Sequence, residues 1–449
     1  MNKILILPTN LDLNRGDQAL VWEAARLIED IYGKDNVSYR IMASNLGEDA
    51  EAQKRQTRNR GYAFLDQLLE HPGRNVKKRE NDRNSYSFIT LIQWGLQASL
   101  DFLRTFWLLS TSNFIRSIGK LFLNRNGKAV YAAFAEADAI YVKGGGFIHS
   151  FGSITDIYFS YYLLFHIRLA IALGKNVYVL PNSVGPLVNP MARRMTIKTL
   201  KRCKLVAVRE NISKEFLKGL GVDAQYYPDF GFYLRPSQKD YSTYLIEHGV
   251  DMGKRKVVIT LRPNRFTGME NAHQLYLNYL NGVCKLVQYL VNEDYHVTFF
   301  AHTLGPSSHE DDRIAIKDVI ERLSVETLSK TSYIEDFNLT CEEVEKIYSY
   351  YDYMVGTRFH SVIFSLNVGT PAVAIAYGGN KGKGIMNVLN NDKFSIDMDK
   401  ILGENLLEKF ILLKSHREDY LRNLSAKRKL IDEMRDECVK FIKSCEGVE

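Results

Sequence analysis

Short apolar strands alternate with helical stretches along almost the whole chain, and the alternation starts again past its midpoint. "KILILP", "VSYRIMA", "AIYVKGGG", "NVYVLP" and "LVAVR" read as strands in the first half, most followed by a helical stretch. After a polar stretch from about Pro236 to Lys254 the pattern restarts with "KVVITLRP", "HVTFFAHT", "DYMVG" and "PAVAIAY". Such alternation calls for parallel strands, because each crossover helix carries the chain back to the same end of its sheet. Right-handed crossovers then make each half doubly wound and Rossmann-like. A chain of 449 residues is too long for one core and long enough for two.

The expected fold is therefore α/β, with two Rossmann-like doubly wound domains facing each other across a cleft, as in the GT-B architecture. The N-terminal domain is expected over 1–235 and the C-terminal domain over 250–449, the latter closing with charged helices. One segment, about 55–128, breaks the alternation and reads as an apolar, basic helical insertion in the first domain. Between Glu51 and Val130 there are fourteen Lys/Arg against six Asp/Glu, although the whole chain is only +7. Its stretch 85–123, "SYSFITLIQWGLQASLDFLRTFWLLSTSNFIRSIGKLFL", is apolar and aromatic but holds Asp101, Arg104, Arg116 and Lys120. That makes it a poor membrane span and a fair in-plane amphipathic pair at an anionic lipid surface. A cap packed on its own domain, or a dimer interface, would read the same way. No nucleic-acid-binding signature accompanies the basic charge, so nucleic acid is not an expected partner. The five cysteines are scattered and odd in number, which suits neither a disulfide framework nor a zinc site. The start "MNKILILPTN" reads as a strand rather than a signal peptide, and a cytoplasmic setting is expected.

Ligands of open α/β sheets bind beyond the carboxyl ends of the strands. Four such ends carry unusual residues. In "LPTNLDLNRGDQAL", Asn14, Gly16 and Asp17 precede a helix; the plainer reading makes Asp17 a cap and Gly16 a turn. In "YVKGGGFI", Gly144, Gly145 and Gly146 would let a ligand approach the backbone, or would make a tight turn. Arg262 ends the first strand of the second half, as a ligand contact or as half of a rim salt bridge. Arg358 and His360, in "GTRFHSVIFSLNVGTPAVAIAY", fall at a helix start inside an apolar run. Unpaired N–H groups and the positive dipole end make that place receptive to an anion. A guanidinium there grips a carboxylate or phosphate, and an imidazole can pass a proton. The alternative is that Arg358 pairs with an acidic neighbour and His360 is a core histidine. His302 ends "HVTFFAHT". The following His309, Glu310, Asp311 and Asp312 read as first-turn helix charges, and no metal is assigned to them.

Taken together and in order, "NRGDQAL", "KGGGFI", "LPNSVGPL", "LVAVRENISKEFLKGLGV", "YYPDFGFYL", "VVITLRPN" and "GTRFHSVIFSLNVGTPAVAIAY" resemble the polysaccharide pyruvyl transferases. The resemblance covers the chain to about Asn390 but not the insertion at 55–128. It implies a GT-B-like fold and phosphoenolpyruvate as donor substrate, with no further cofactor. It also implies a glycan acceptor that receives a pyruvate ketal. It implies Arg262, Arg358 and His360 as the donor-binding and catalytic set; Asn14 and Gly144–Gly146 are read as further donor-binding candidates, and His360 as the acid. Asp17, Asp229 and His302 are candidates for the base. A lipid-linked acceptor would give the aromatic insertion a purpose at the inner face of a membrane. Two other readings stay open: a nucleotide-sugar glycosyltransferase of the same architecture, and a non-catalytic, membrane-associated assembly factor.

Overall fold

The computed structural model describes residues 1–43, 50–72, 88–264, 266, 269–377 and 386–448. Two compact units emerge. Unit 1 holds Met1–Asp12, Leu20–Phe230 and Met434–Glu449, and unit 2 holds Leu13–Ala19 and Gly231–Glu433. Each is built around one parallel sheet. The chain therefore divides less simply than its sequence suggests. The boundary falls at Phe230 rather than 235, the short segment 13–19 belongs with the second unit, and the end of the last helix returns to the first.

The sheet of unit 1 contains β1 (Asn2–Asn10), β2 (Val37–Ala43), β3 (Ala63–Leu65), β4 (Ala139–Val142), β5 (Gly145–Ser150), β6 (Asn176–Leu187), β7 (Leu205–Val208) and β8 (Gln225–Tyr226). Its order is β3-β2-β1-β4-β6-β7-β8, with β5 paired to β6, and every pairing is parallel. The chain thus winds outward from β1 in one direction and from β4 in the other. The switch point lies between them. Strands buried on both faces read as unbroken apolar runs, and β4 is buried at all four positions. The helix Asp156–Ala172 is apolar on nearly all sides because it too is covered on nearly all sides.

Buried in that helix, His166 accepts the backbone N–H of Leu68 on its Nε2 at 3.1 Å, which fixes the neutral imidazole. Burial pushes its pKa down to about 3. The unfolded chain takes up a proton near pH 6.5 where the folded chain does not, so stability falls as the pH drops below 6.5. At pH 5 the loss from this one residue is about 2 kcal/mol. Melting temperatures measured from pH 7 to pH 5 should show a shallower decline in His166→Gln than in the unmodified protein.

Unit 2 contains β9 (Arg255–Thr260), β10 (Tyr295–Phe300), β11 (Thr331–Ile334), β12 (Tyr353–Gly356), β13 (Ala372–Ala376) and β14 (Ser395–Asp397), in the order β11-β10-β9-β12-β13-β14 and all parallel. Its switch point lies between β9 and β12. The register pairs Gly356 with Thr260 on one side and with Ala374 on the other, so three adjacent strands end at nearly the same level.

The insertion forms helices over Phe88–Thr105, Asn113–Leu121 and Arg125–Glu136, joined by a short 3-10 turn at Phe106–Leu109. The basic flank at 74–83 and the divergent stretch at 378–385 lie outside the described residues. Among the described residues, no helix is long and apolar enough to cross a membrane.

Candidate active site

The carboxyl ends of the central strands of unit 2 deliver the candidate residues. Arg262 lies two residues past β9, His302 two past β10, Arg358 two past β12, and Tyr377 directly follows β13. Arg262 and Arg358 therefore flank the switch point. The expected helix after "GTRFHS" runs from Phe359 to Asn367, with Arg358 as its N-cap in extended conformation and Gly369 past its end at φ 77°. The Arg358 side chain makes no capping hydrogen bond to that N-terminus.

Arg358 is 5% exposed and is held by two carboxylates. Its Nε donates to Asp312 at 2.7 Å and its Nη1 to Glu310 at 3.0 Å. The acidic partner weighed as the plainer reading is therefore real, and the pair it forms is buried. Asp312 is fully buried and also accepts the backbone N–H groups of His302 and Thr303, at 3.0 and 2.9 Å. Burial lifts its pKa to about 6, while Arg358 and the N–H bonds hold it down, so it is ionised at neutral pH. Glu310 is shared: its other oxygen stands 3.9 Å from a guanidinium nitrogen of Arg262. The guanidinium carbon of Arg262 in turn stands over the ring of Tyr377, 3.8 Å from its centre. From the sequence alone, Glu310 and Asp312 read only as helix-start charges. The cap of the helix Asp312–Ile320 is in fact Asp311, which accepts the N–H of Arg313 and leaves its two neighbours to the arginines.

The segment 13–19 is stitched into the same place. Leu304 donates its N–H to the carbonyl of Leu13 at 2.9 Å, and Asn14 bridges Thr303. The buried guanidinium of Arg15 donates to the carbonyl of Asp336 at 2.5 Å, and Gln18 accepts the N–H of Cys341 at 2.7 Å. Asn14, not Asp17, makes the cap: its side chain accepts the N–H of Asp17 at 3.2 Å, and Asp17 sits half-buried in the first helical turn. Gly16 makes no turn. It lies in the helix Arg15–Tyr32 against His360, where a Cβ would come within 2.3 Å of Nδ1.

His302 is almost wholly buried and shares a hydrogen bond of 3.0 Å between its Nδ1 and the Tyr348 hydroxyl. Burial, and then the charges of His360, Arg15 and Arg358, hold its pKa well below the usual histidine range, so the ring is neutral. Burial raises the Tyr348 hydroxyl well above its ordinary value.

The remaining candidates belong to unit 1. Asp229 is 2% exposed and accepts from Arg209 at 2.5 Å, inside a network that includes Ser183 and Glu210. Asp229 thus already has a buried cationic partner. Gly144 follows β4 at the switch point of that unit, and a Cβ there would come within 2.9 Å of the Pro181 carbonyl. Gly145 and Gly146 open β5 rather than forming a free turn, and Gly145 pairs with Asn182.

The sequence profile described as polysaccharide pyruvyl transferase matches residues 14–379. The amylovoran biosynthesis protein AmsJ of Erwinia amylovora is 24% identical over 261 residues, which are 54% of this chain and 59% of that protein. An Anabaena protein solved with UDP and glucose superposes with a TM-score of 0.54 at 12% identity, over 99% of this chain and 100% of that one. The α,α-trehalose 6-phosphate synthase of Burkholderia multivorans gives 0.52 at 9% identity, over 100% and 97%. These structural likenesses concern the fold alone, and it is the GT-B-like, two-sheet α/β fold expected from the sequence.

Proposed function

Because the chain belongs to the polysaccharide pyruvyl transferase family, we propose that it moves the pyruvyl group of phosphoenolpyruvate onto two hydroxyls of one sugar in a polysaccharide or its precursor. The product is a cyclic pyruvate ketal, and phosphate is released. One observation carries the reading of the site. Arg262 and Arg358, from either side of the switch point, both reach the single carboxylate of Glu310. Two guanidinium groups that reach one carboxylate also reach one small polyanion. Phosphoenolpyruvate places a carboxylate and a phosphate on three carbons, and such pairs bind arginine strongly.

In this reading the two arginines hold the donor, and Tyr377 and Asp312 keep their guanidinium planes in place. His360 gives a proton to the methylene carbon, and C2 becomes cation-like. A sugar hydroxyl adds to C2 and its proton passes to a base. Phosphate then leaves the adduct, and the second hydroxyl closes the ring with loss of its own proton. Asp17 is the base that suits this scheme, since it is half-buried in the segment that also packs Gly16 against His360. Asp229 is tied to Arg209, and His302 to Tyr348.

The test is calorimetric titration with phosphoenolpyruvate, followed by phosphate release in the presence of glycan acceptors. A panel of nucleotide sugars is run alongside. Donor binding and acceptor-dependent phosphate release support the proposal. A nucleotide sugar bound in place of phosphoenolpyruvate would move the chain to the glycosyltransferases.

Glu310 occupies the place proposed for the donor anion, so it competes with it. A unit charge about 4 Å from a like charge costs about 4 kcal/mol at an effective dielectric of 20. Glu310 is one-third exposed and can swing toward solvent, which reduces that cost. Glu310→Gln should therefore tighten phosphoenolpyruvate binding by roughly three- to tenfold. Weaker binding would mean that Glu310 orients Arg358 instead.

A further inference from the structure

The helix Phe88–Thr105 is docked the wrong way round for a protein in water. Its inward side is polar and aromatic. Trp94, Asp101 and Thr105 are buried, Asp101 accepts from the Tyr158 hydroxyl, and Thr105 bonds the Tyr161 hydroxyl at 2.8 Å. Five of its aliphatic side chains face out. Ile89, Ile92, Leu96, Leu100 and Leu103 recur at helical spacing and are all exposed, Leu96 at 64%. Phe114 on the next helix, Ile154 before the helix Asp156–Ala172 and Met191 on the helix Pro190–Leu200 are exposed as well. Between the helices Phe88–Thr105, Asp156–Ala172 and Pro190–Leu200 runs an apolar groove of about 1090 Å³. Single exposed apolar side chains are ordinary, but a helix that presents a stripe of five aliphatic side chains to solvent is built for an apolar partner.

Charge says which partner. Arg168, Arg194 and Lys198 line the groove, and Arg193 and Lys201 line the adjoining hollow with Arg194 and Lys198. From Phe88 to Ala135 the one acidic residue is Asp101, which is buried, and from Ile157 to Arg209 there is none. Two copies meeting through this face would set like charges against one another, which opposes a symmetric dimer. An anionic bilayer satisfies both features, with acyl chains for the aliphatic stripe and headgroups for the basic rim.

We propose that this face of unit 1 is a docking surface for an anionic lipid bilayer, in which the helix Phe88–Thr105 lies in the plane of the headgroups. The surface would bring the enzyme to acceptors carried by the membrane. It stands independently of the donor chemistry.

The test is flotation of the full chain with vesicles of phosphatidylcholine alone and of phosphatidylcholine with phosphatidylglycerol. The protein should float with the second kind, and less so at high salt. The triple variant Leu96→Glu, Leu100→Glu, Leu103→Glu should lose flotation with an unchanged melting temperature, since all three side chains are exposed. Arg194→Ala and Lys198→Ala should each weaken binding roughly fivefold, as expected for one basic residue at such a surface. Failure to float with anionic vesicles overturns the proposal. So does a concentration-dependent dimer that the triple variant dissociates, which would assign the face to a second copy.

Discussion

Replacing Arg358 by alanine should abolish phosphoenolpyruvate binding and turnover, in a protein that has also lost stability. Donor affinity should fall about a thousandfold, near the 4 kcal/mol typical of truncating one partner of a desolvated charge pair. The stability loss has a separate cause. Without the guanidinium, Asp312 keeps the N–H groups of His302 and Thr303 but loses its counter-charge, at a cost of about 3–5 kcal/mol. Burial already lifts Asp312 to about 6, and removing the cation lifts it further. A carboxyl raised above its unfolded value binds a proton in the fold that the unfolded chain releases, so the variant should be least stable above that raised value and recover as the pH falls toward the unfolded carboxyl range. Arg358→Ala with Asp312→Asn removes the orphaned charge. It should regain most of the stability and still bind no donor. If that double variant binds phosphoenolpyruvate normally, Arg358 is structural and the donor assignment fails. Arg262→Ala is a second probe of affinity, because Arg262 stands 3.9 Å from Glu310, whereas Arg358 is held at 2.7 and 3.0 Å by Asp312 and Glu310.

The two sheets and the strand ends were legible because a parallel strand covered on both faces must be an apolar run, and a run that ends in a charged residue marks the sheet's rim. Arg262, His302, Arg358 and His360 stand out for that reason. What surrounds them was not legible. Asp312 lies 46 residues before Arg358 in the chain, and an acidic stretch before a helix looks the same whether it caps the helix or holds an arginine. Asp311 does the first and Asp312 the second. Nothing local ties the segment 13–19 to the second sheet, because its anchors reach the backbone of Leu304, Asp336 and Cys341, which any residue there would offer. The insertion shows a third kind of limit. Periodicity reveals an aliphatic stripe, yet only the buried Trp94, Asp101 and Thr105 show that the stripe points outward.

Gly16→Ala should lower kcat roughly a hundredfold while leaving phosphoenolpyruvate affinity nearly intact, a loss typical of a misplaced catalytic group. Within a helix this exchange ordinarily stabilises, by up to about 1 kcal/mol. Here the new methyl would meet His360 at 2.3 Å from Nδ1, 2.5 Å from Cγ and 2.6 Å from Cβ. These are the root and base of the ring, so no movement of a flexible tip relieves the contact. Either the imidazole turns out of its place or the start of the helix Arg15–Tyr32 backs away, at a cost of about 1–3 kcal/mol. The first term offsets part of the second, and a net loss of no more than about 2 kcal/mol should lower the melting temperature by several degrees at most. Catalysis has no such offset, because a proton donor must stand within hydrogen-bond reach of the carbon it protonates. Arg262 and Arg358 approach from strand ends that the substitution does not touch. Titration with phosphoenolpyruvate and a turnover assay on the same preparation separate the two effects. A variant that binds the donor and does not turn it over supports His360 as the acid, held in register by the absence of one methyl group. A variant that turns over normally removes His360 from that role.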